Sequence, residues 1–564
     1  WHGTHVGGVI ASSCTLDFSA DPSDPLWLSI DAYLPWQIDN VPVLGQAPLA
    51  NIYPVKVFDI TGGSTPTSVI LDGLDHLLTL KTSGALDIDV VNMSLGGGTV
   101  YDGGDTFDTF VNTMYLEDMV VVTSAGNAGP IPNSVGSPGT SWTALSVGAL
   151  DYAPSSRVLY EFLGYRAFGT GGQGLVMRPT SETRVVNFSS RGPLSDGRGG
   201  PDLAALGHWN FQAGPVNELR WAGGTSFASP TVAGAAALLN SYWEAGHVDT
   251  NAFAIRQSLT AGADPSVVGS AWKNFNSQGY GALDVPAALQ VLQSGVWPTN
   301  IAVTTGKLTA NVLPAPAVGA VDVYESGLIT LGAGKTKDFV LEVDEYTSDV
   351  IIEVYDMTAA DNSAYAYWPN AIEFNIQSGK RSVAGPVEAW LWYPQFWGDS
   401  VTYIVSDGPW VESSGAFGSY EFANQPVEPG LMKVSLAGDY SNESPVSFKV
   451  RITREQLRTP QTGFYAIGRI RMGSSALIPV DVPAGVSEMT LDLVWGRDWS
   501  TFPTSDIEMF VYDPAFNLVS LDGATFNAPE RAVITNPTAG TWYVFVDGYE
   551  MYRTDRYKLF VTMD

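Results

Sequence analysis

The sequence predicts an α/β fold with a doubly wound, mainly parallel sheet, followed by two all-β sandwich domains. Over residues 1–295, short apolar runs alternate with segments whose apolar residues recur at helical spacing, as in repeated βα units. After residue 322 this pattern gives way to short alternating strands separated by turn residues, which is typical of antiparallel sandwiches.

The chain of 564 residues is too long for one ordinary hydrophobic core, and its 45% apolar content is ample for several. We expect an α/β domain at 1–295, a linker at 296–322 that is rich in Pro and Ala, and two β-sandwiches at 323–455 and 456–564. The first sandwich is predicted to carry an insertion at about 365–425, rich in Trp and Tyr.

Five elements of the α/β domain follow from apolar patterning. They are a strand at 50–58, a helix at 65–80 with Thr65 as N-cap and Pro66 at the first helical position, a strand at 86–97, a helix at 106–119 and a strand at 120–129. Ligands in such folds bind at the carboxyl ends of the strands. The segments SLGG and SAGNAG fall at those ends.

The two predicted sandwiches resemble each other internally. The segment 349–356 (DVIIEVYD) matches 506–513 (DIEMFVYD) in residue type, and 429–440 (PGLMKVSLAGDY) matches 539–550 (AGTWYVFVDGYE). We interpret these matches as two related copies of one β-sandwich module.

Composition excludes several classes of function. The formal charge is −30 although only 15% of residues are charged, so the surface is acidic and nucleic acid or an anionic membrane would be repelled. No apolar run is long enough to span a bilayer. The single cysteine, Cys14, excludes an intramolecular disulfide framework and a cysteine-based zinc site, and we interpret it as a small residue near a helix end. We expect a monomer.

Two histidines, His2 and His5, begin the chain within WHGTHVGG. Zinc-binding histidines on one helical face are four apart with a glutamate between them. Here the spacing is three, and Gly3 and Thr4 lie between the rings. The spacing therefore argues against a metal site, and helix packing and catalysis stay open.

A serine just after a glycine pair carries the clearest chemical signal. In GGTSFASPTVAGAAALLN (223–240), Ser226 starts a predicted helix, so the positive helix end and free backbone N–H groups lie beside its hydroxyl. A serine hydroxyl needs a histidine nearby to accept its proton. Asn127, at the end of a predicted strand, offers an amide that can donate to a developing oxyanion.

Together these segments resemble the subtilases, the subtilisin-like serine peptidases. The similar segments are HGTHVGG at 2–8, SLGG at 94–97, SAGN at 124–127, NFSSRGP at 187–193, PDLAALG at 201–207, GTSFASP at 224–230 and GYGALDVPAAL at 279–289. Gly7 stands where alanine is commoner, and Phe227 where methionine is usual. The resemblance covers about residues 1–295 and implies a subtilisin-like fold and a secreted serine endopeptidase.

The resemblance also implies a role for each matching residue. His2 is the general base, Ser226 the nucleophile, and Asn127 forms the oxyanion hole with the Ser226 N–H, while His5 supports the helix. The residues implied to bind or line the site for the peptide substrate are Ser94, Leu95, Gly96, Gly97, Ala125, Gly126 and Thr225. The substrates are polypeptides, the location is extracellular or at the cell surface, and the chemistry requires no cofactor.

The chain departs from the family pattern in three places. The stretch between Asn127 and Ser226 is long for a subtilase, and 151–183 is identified as the inserted segment. A second insertion at 14–37 either rims the cleft with its aromatic residues or forms a plain surface loop. Subtilases often bind calcium just after this point, but Pro42 stands at 39–45 where a flexible glycine is expected, so that site is doubtful and structural calcium elsewhere stays open.

The third triad member has no candidate by chain order. Subtilases place aspartate before histidine and serine, and every aspartate here follows His2. From this we expect an N-terminally truncated part of a longer precursor, whose upstream strand supplies the aspartate. On that expectation the parent is active, and residues 1–564 alone fold poorly or are nearly inactive.

Two other functions remain as alternatives. A non-catalytic cell-surface or substrate-binding protein derived from a subtilase is favoured by the β-rich C-terminal half, whose modules resemble pre-peptidase C-terminal domains. A sedolisin-type carboxyl peptidase would need upstream Glu and Asp and a different oxyanion residue, and the HGTH motif argues against it.

Overall fold

The structure is a computed structural model of the whole chain. The residues that it describes are 1–34, 39–59, 65–97, 103–130, 134–194, 197–216, 218–246, 251–269, 274–297, 312–317, 319–344, 347, 349–359, 371–377, 402–406, 419–421, 430–440, 442, 444–456, 463–496, 505–523, 530–551 and 553–564.

The N-terminal part contains every described helix together with nine strands. The helices are α1 (His2–Ala11), α2 (Pro25–Tyr33), α3 (Thr67–Thr82), α4 (Thr106–Leu116), α5 (Ala153–Phe168), α6 (Gln173–Met177), α7 (Thr225–Glu244), α8 (Ala252–Gly262), α9 (Phe275–Gln278) and α10 (Val285–Ser294). The strands are β1 (Ser13–Asp17), β2 (Asn40–Leu44), β3 (Val90–Met93), β4 (Val120–Ser124), β5 (Leu145–Asp151), β6 (Arg184–Val185), β7 (Leu203–Leu206), β8 (Asn210–Ala213) and β9 (Leu219–Ala222).

A mainly parallel sheet forms the centre of this part. Strands β3, β4, β5 and β7 pair in parallel in that order, and the short β6 pairs antiparallel with β5. Val120 and Val122 pack toward α7, α8 and α10, whereas Val121 packs toward α3 and α4. Because helices cover both faces, β4 is buried along its whole length. The predicted α/β class is thereby confirmed.

The prediction of a strand at 50–58 is wrong. Within the described residues this segment makes no ladder with another strand. Val55 and Val57 instead lie against α3, where a Cβ on Gly73 would come within 2.9 Å of a Val57 methyl. The alternating valines therefore serve packing against a helix, without a strand partner. The neighbouring helix also begins later than predicted, with Pro66 at the N-cap position of α3.

The two segments identified as insertions pack on one another. Within 14–37 lie β1 and α2, and within 151–183 lie α5 and α6. Ile30 and Val158 share a small core, and the Tyr33 hydroxyl donates to Glu161 at 2.9 Å. Trp27 stacks on Phe18 inside this core, so the described part of the first insertion is folded structure. Residues 35–37 of that segment lie outside the described residues.

The C-terminal part is all-β in the residues that the structure describes. Its strands are β10 (Val312–Leu313), β11 (Val321–Glu325), β12 (Ile329–Leu331), β13 (Thr336–Val343), β14 (Asp349–Ala359), β15 (Ala371–Gln377), β16 (Thr402–Ser406), β17 (Ser419–Glu421), β18 (Gly430–Gly438), β19 (Val446–Glu455), β20 (Ala466–Ile470), β21 (Ser475–Val482), β22 (Glu488–Trp495), β23 (Asp506–Tyr512), β24 (Leu518–Gly523), β25 (Glu530–Thr535), β26 (Gly540–Glu550) and β27 (Asp555–Met563).

These strands build two sandwiches that share one eight-strand topology, and the first has two further strands, β10 beside β13 and β12 beside β19. In the first, the sheets run β10-β13-β18-β15-β16 and β11-β19-β14-β17. In the second, they run β21-β26-β23-β24 and β20-β27-β22-β25. Each pair of sheets encloses one apolar core. The prediction of an all-β C-terminal part is confirmed.

Only one of the two internal sequence matches joins equivalent strands. The match of 429–440 with 539–550 aligns β18 with β26, which occupy the same place in their sheets. The match of 349–356 with 506–513 aligns β14 with β23, but β14 pairs with the last strand of its sandwich and is therefore the counterpart of β22. Inward-facing apolar residues alternate in both segments, so local similarity alone gave a wrong alignment.

The predicted insertion and linker both contain sandwich strands. β15, β16 and β17 lie within 365–425 and correspond to β23, β24 and β25, so this stretch is not simply an insertion. Its remaining residues lie outside the described part. β10 and the first residues of β11 fall within the predicted linker at 296–322.

Candidate active site

The candidate site lies where the first turns of α1 and α7 meet. His2 begins α1, and Thr225 and Ser226 begin α7. Phe227 joins the two helices, with its ring centroid 5.4 Å from that of His2 and 4.7 Å from that of His5. Gly224 precedes α7 with φ of 154°, a conformation that residues with a Cβ rarely adopt. Packing between the two helices thus places His2 and Ser226 in one region.

Ser226 is half-buried, and its hydroxyl has one weak partner. It donates to the carbonyl oxygen of Ser94 at 3.5 Å. Among the described residues no hydrogen bond joins Ser226 to His2, and none joins His2 to a carboxylate. Catalytic hydrogen bonds are often long before substrate binds and shorten only in its complex.

The end of β3 is fixed to the first turn of α7. Ser94 Oγ donates to the carbonyl of Ser226 at 2.7 Å, and Asn92 Nδ2 donates to Ser94 Oγ at 3.0 Å. Ser229 Oγ closes this network by donating to Asn92 Oδ1 at 2.7 Å. Ser94 is therefore held directly beside the candidate nucleophile.

Asn127 is exposed and its amide orientation is fixed by Thr225. The Asn127 side-chain oxygen accepts the backbone N–H and the hydroxyl of Thr225, each at 2.9 Å. Since an N–H group can only donate, Oδ1 must face Thr225 and the Nδ2 group must face away. Gly126 N–H completes the arrangement by donating to Thr225 Oγ1 at 3.2 Å.

The segment 94–97 and the loop after β4 both contact the first turn of α7. Gly96 and Gly97 are exposed, and Gly97 N–H donates to the carbonyl of Ser137 at 3.0 Å. Ser124 Oγ approaches the carbonyl of Leu95 at 3.5 Å. Ala125 is buried, and its N–H donates to Val147 in the sheet. The predicted substrate-binding residues therefore lie in these two segments or on the first turn of α7, and Ala125 and Thr225 among them are buried.

A buried acid, Asp108, lies next to Ser137, and sequence reasoning did not find it. Asp108 in α4 accepts hydrogen bonds from Ser137 Oγ at 3.1 Å and from Thr140 Oγ1 at 2.6 Å. Burial, and next the neighbouring Asp105, raise the pKa of Asp108 to about 7. Its partners lie some 30 positions along the chain, so no local motif marked this acid.

Burial also determines the charge of the two histidines. It lowers the pKa of His2 below its ordinary value and lowers that of His5 to about 4. Both imidazoles are therefore neutral at pH 7, which is the form that accepts a proton. His5 is fully buried beneath Phe227, in keeping with a packing position rather than one facing the site.

The doubtful calcium segment is built differently from a metal loop. Asn40–Leu44 is strand β2, paired with β1, and Pro42 lies opposite Thr15. The carbonyl of Leu44 already accepts Gln212 Nε2 at 2.8 Å. Elsewhere in the described residues, carboxylate oxygens of Asp87, Asp89 and Glu244 lie within 4.8 Å of one another, and Lys81 pairs with Asp87. Neither feature identifies a metal ion.

None of the helices that the structure describes is long and apolar enough to cross a membrane.

Comparison with known proteins gives a family for the N-terminal half. The sequence model of the subtilase family matches residues 1–281. Pyrolysin of Pyrococcus furiosus is 33% identical over 318 residues, covering 52% of this chain and 21% of the relative. Tripeptidyl-peptidase 2 of Arabidopsis thaliana is 29% identical, with coverages of 52% and 18%. Human membrane-bound transcription factor site-1 protease is 29% identical, with coverages of 52% and 22%.

The chain spans about a fifth of the length of these relatives. Among solved structures, Sphericase is 22% identical with a TM-score of 0.35, covering 50% of this chain and 77% of its own. The S41 psychrophilic protease is 24% identical with the same TM-score and the same coverages.

Proposed function

Because residues 1–281 belong to the subtilase family, we propose that they form the catalytic part of a secreted serine endopeptidase acting on polypeptides. The observation that carries this proposal is the pairing of Asn127 with Thr225, which turns an amide donor away from α7 next to Ser226. A half-buried serine at a helix start, a neutral histidine and a fixed amide donor are the groups that acyl transfer requires.

In the proposed mechanism Ser226 Oγ attacks the carbonyl carbon of the scissile peptide bond, and its proton passes to His2. The resulting oxyanion accepts hydrogen bonds from Asn127 Nδ2 and the Ser226 N–H. Collapse of this intermediate breaks the C–N bond, and the proton on His2 passes to the leaving amine. Water then attacks the acyl ester, with His2 again accepting the proton, and regenerates the serine. We assign no residue of 1–564 to the third triad position.

The substrate backbone is proposed to lie along Ser94–Gly97 as an added strand. Gly96 is exposed at the edge of this segment, while Gly97 is held from behind by Ser137. An extended peptide gains affinity by pairing with an exposed backbone segment. Gly126 then lies on the opposite side of the peptide with the buried Ala125 behind it, and Thr225 fixes the orientation of Asn127.

The proposal also covers the organisation of the chain. We propose that the peptidase domain spans 1–295, that a linker begins at 296, and that two sandwich domains follow, with the boundary between them at 455/456. β10 and the first residues of β11, within the stretch predicted as linker, belong to the first sandwich. The protein acts as a monomer outside the cell, and its chemistry needs no cofactor.

The test uses the full-length natural protein. A fluorophosphonate probe is expected to label Ser226 and to abolish hydrolysis of casein, and Ser226→Ala is expected to remove both labelling and hydrolysis. Ser241→Ala, an exposed serine on the same helix, serves as the control and is expected to behave as the unaltered protein. A folded protein that neither reacts with the probe nor cleaves casein would support the non-catalytic alternative.

A further inference from the structure

The turn after β18 of the first sandwich reaches into the α/β part of the molecule. Asp439 Oδ2 accepts Asn187 Nδ2 at 2.9 Å, and both side chains are buried. Arg184 Nη1 donates to the backbone carbonyl of Tyr440 at 2.8 Å. These are specific polar contacts between residues more than 250 positions apart; the one between Asn187 and Asp439 is buried, and the one between Arg184 and Tyr440 is partly buried.

The ring of Tyr440 completes an apolar core of the α/β part. It packs against a buried cluster that includes Leu150, Val185 and Ala204. Its centroid lies 5.7 Å from that of His208, at an interplanar angle of 87°. Burial raises the pKa of Tyr440 well above its ordinary value, so the phenol stays neutral.

His208 belongs to a buried polar network behind the candidate site. Its Nδ1 lies 3.2 Å from Asp151 Oδ1, and Arg178 Nε donates to Asp151 Oδ2 at 2.9 Å. Burial alone would raise the pKa of Asp151, but the hydrogen bond to His208 and the charge of Arg178 outweigh it and lower that pKa to about 2. His208 is therefore held firmly between this carboxylate and the ring of Tyr440.

One set of contacts leads from His208 to the nucleophile. A Cβ placed on Gly223 would lie 3.3 Å from His208 Cδ2, which is tight contact. Gly224 N–H donates at 2.8 Å to the carbonyl of Gly207, the residue directly before His208. Ser226 follows two residues after Gly224, so the position of His208 helps to fix the turn that presents the serine.

A second set leads from Asn187 to the oxyanion loop. Gly129 N–H donates to the carbonyl of Phe188 at 2.9 Å, the neighbour of Asn187. Ser190 N–H donates to the carbonyl of Gly126 at 3.0 Å, and Ser190 Oγ accepts Ala128 N–H at 3.0 Å. Asp439 therefore fixes the segment around Asn187, and this segment in turn is hydrogen-bonded to the loop that carries Asn127.

We propose that Asp439 and Tyr440 are positioning residues, through which the first sandwich fixes the oxyanion loop and the nucleophile turn from behind. This inference rests on the proposed function for its kinetic part, while the docking itself stands on the contacts above. A positioning role affects alignment in the transition state more than ground-state binding of the peptide, so kcat is the sensitive quantity.

The test compares four variants of the natural protein. Asp439→Ala removes the acceptor of Asn187, Tyr440→Ala removes the ring, and Tyr440→Phe keeps the ring. The control is Tyr549→Ala. Tyr549 follows Gly548 near the end of β26, which is the strand of the second sandwich equivalent to β18, and Tyr549 is 50% exposed. Circular dichroism and the thermal midpoint identify any variant that fails to fold.

Two readouts separate docking from catalysis. Hydrogen exchange of peptides covering 184–190 and 205–210 is expected to speed up in D439A and Y440A, and to stay unchanged in Y440F and Y549A. In folded D439A and Y440A, kcat is expected to fall at least about tenfold, with KM within about twofold of that of the unaltered protein. Y440F is expected to have the kcat of the unaltered protein.

Each outcome has a defined meaning. Unchanged exchange in D439A and Y440A would overturn the docking, and faster exchange with unchanged kcat would overturn the positioning role. If the unaltered protein shows no hydrolysis, the proposed function fails but the exchange comparison still tests the docking. If Y440A does not fold, D439A carries both readouts.

Discussion

The side-chain oxygen of Asn127 accepts two hydrogen bonds from Thr225, one from its N–H and one from its hydroxyl, each at 2.9 Å. Both lone pairs of the amide oxygen are thereby occupied, and the amide N–H groups are directed away from α7. An oxyanion donor is most effective when its direction is fixed before the reaction begins. The relation between these two residues therefore links the fold of the helix start to the chemistry.

Replacing Thr225 tests this preorganisation. Thr225→Val keeps the side-chain shape but removes the hydroxyl that donates to Asn127 and accepts Gly126 N–H. Loss of one such hydrogen bond costs about 1–1.5 kcal/mol, so we expect kcat to fall roughly tenfold with little change in KM. Thr225→Ser keeps the hydroxyl and is the control. Steady-state kinetics check this, and a T225V variant as active as the unaltered protein would contradict it.

Replacing Asn127 tests the oxyanion donor itself. Asn127→Asp keeps an oxygen facing Thr225 and so keeps the fold, but it replaces the amide donor by a carboxylate oxygen. Removing one such donor in a subtilisin lowers kcat by roughly 10²–10³, and we expect at least that loss here with KM little changed. Asn127→Ala is expected to show a similar loss. Wild-type kcat in N127D at an unchanged thermal midpoint would exclude Asn127 as the donor.

Much of the α/β part was predictable from the sequence because its signals are local. VVVTSAGN is a continuous β-branched run ending in a turn, and it forms β4 followed by the loop of Asn127. Residues 50–58 show the limit of this reasoning, since alternation indicates an extended backbone but cannot supply a strand partner. The alignment of β14 with β23 failed for the same reason, because sheet order depends on non-local pairing.

The candidate site was predictable only where motifs are short in sequence. Ser226, Thr225 and Asn127 lie in two compact segments, each with a recognisable pattern. Asp108 and Asp439 act on partners about 30 and 250 positions away, and no spacing rule indicates such pairs. Their roles depend on burial and on contacts between elements, which the sequence does not encode in any one place.

A departure from the family pattern offers a test of helix stability. Gly7 lies within α1, and a Cβ added there would meet only a methyl of Ile52 at 3.8 Å, which is ordinary contact. Alanine is favoured over glycine in a helix by about 0.8–1 kcal/mol, so Gly7→Ala is expected to raise the free energy of unfolding by about 0.5–1 kcal/mol.

The adjacent glycine is the matched control for this change. A Cβ on Gly8 would lie 3.3 Å from the Ala213 Cβ and 3.4 Å from its nitrogen, so Gly8→Ala gains helix propensity but crowds β8. We expect G8A to be less stable than G7A in urea unfolding followed by circular dichroism. Equal stability of the two variants would contradict the packing of α1 against β8.

The buried imidazole of His5 predicts a pH dependence of stability. Its pKa is about 4 in the folded protein and 6.5 as the ordinary value, so the unfolded chain takes up the proton first as pH falls. The stability that this neutral ring contributes is complete above pH 6.5 and is lost as pH falls toward 4. Between pH 7 and pH 5 the loss amounts to about 2 kcal/mol for this one group.

A glutamine at this position removes the titration and keeps a polar side chain of moderate size. The drop in unfolding free energy from pH 7 to pH 5 is therefore expected to be smaller in His5→Gln by about 2 kcal/mol. Thr4→Gln, at an exposed position of the same helix that carries no titratable group, is the control and should leave the drop unchanged. Urea unfolding at the two pH values measures this difference. If His5→Gln shows the same drop as the unaltered protein, His5 is not held neutral beneath Phe227.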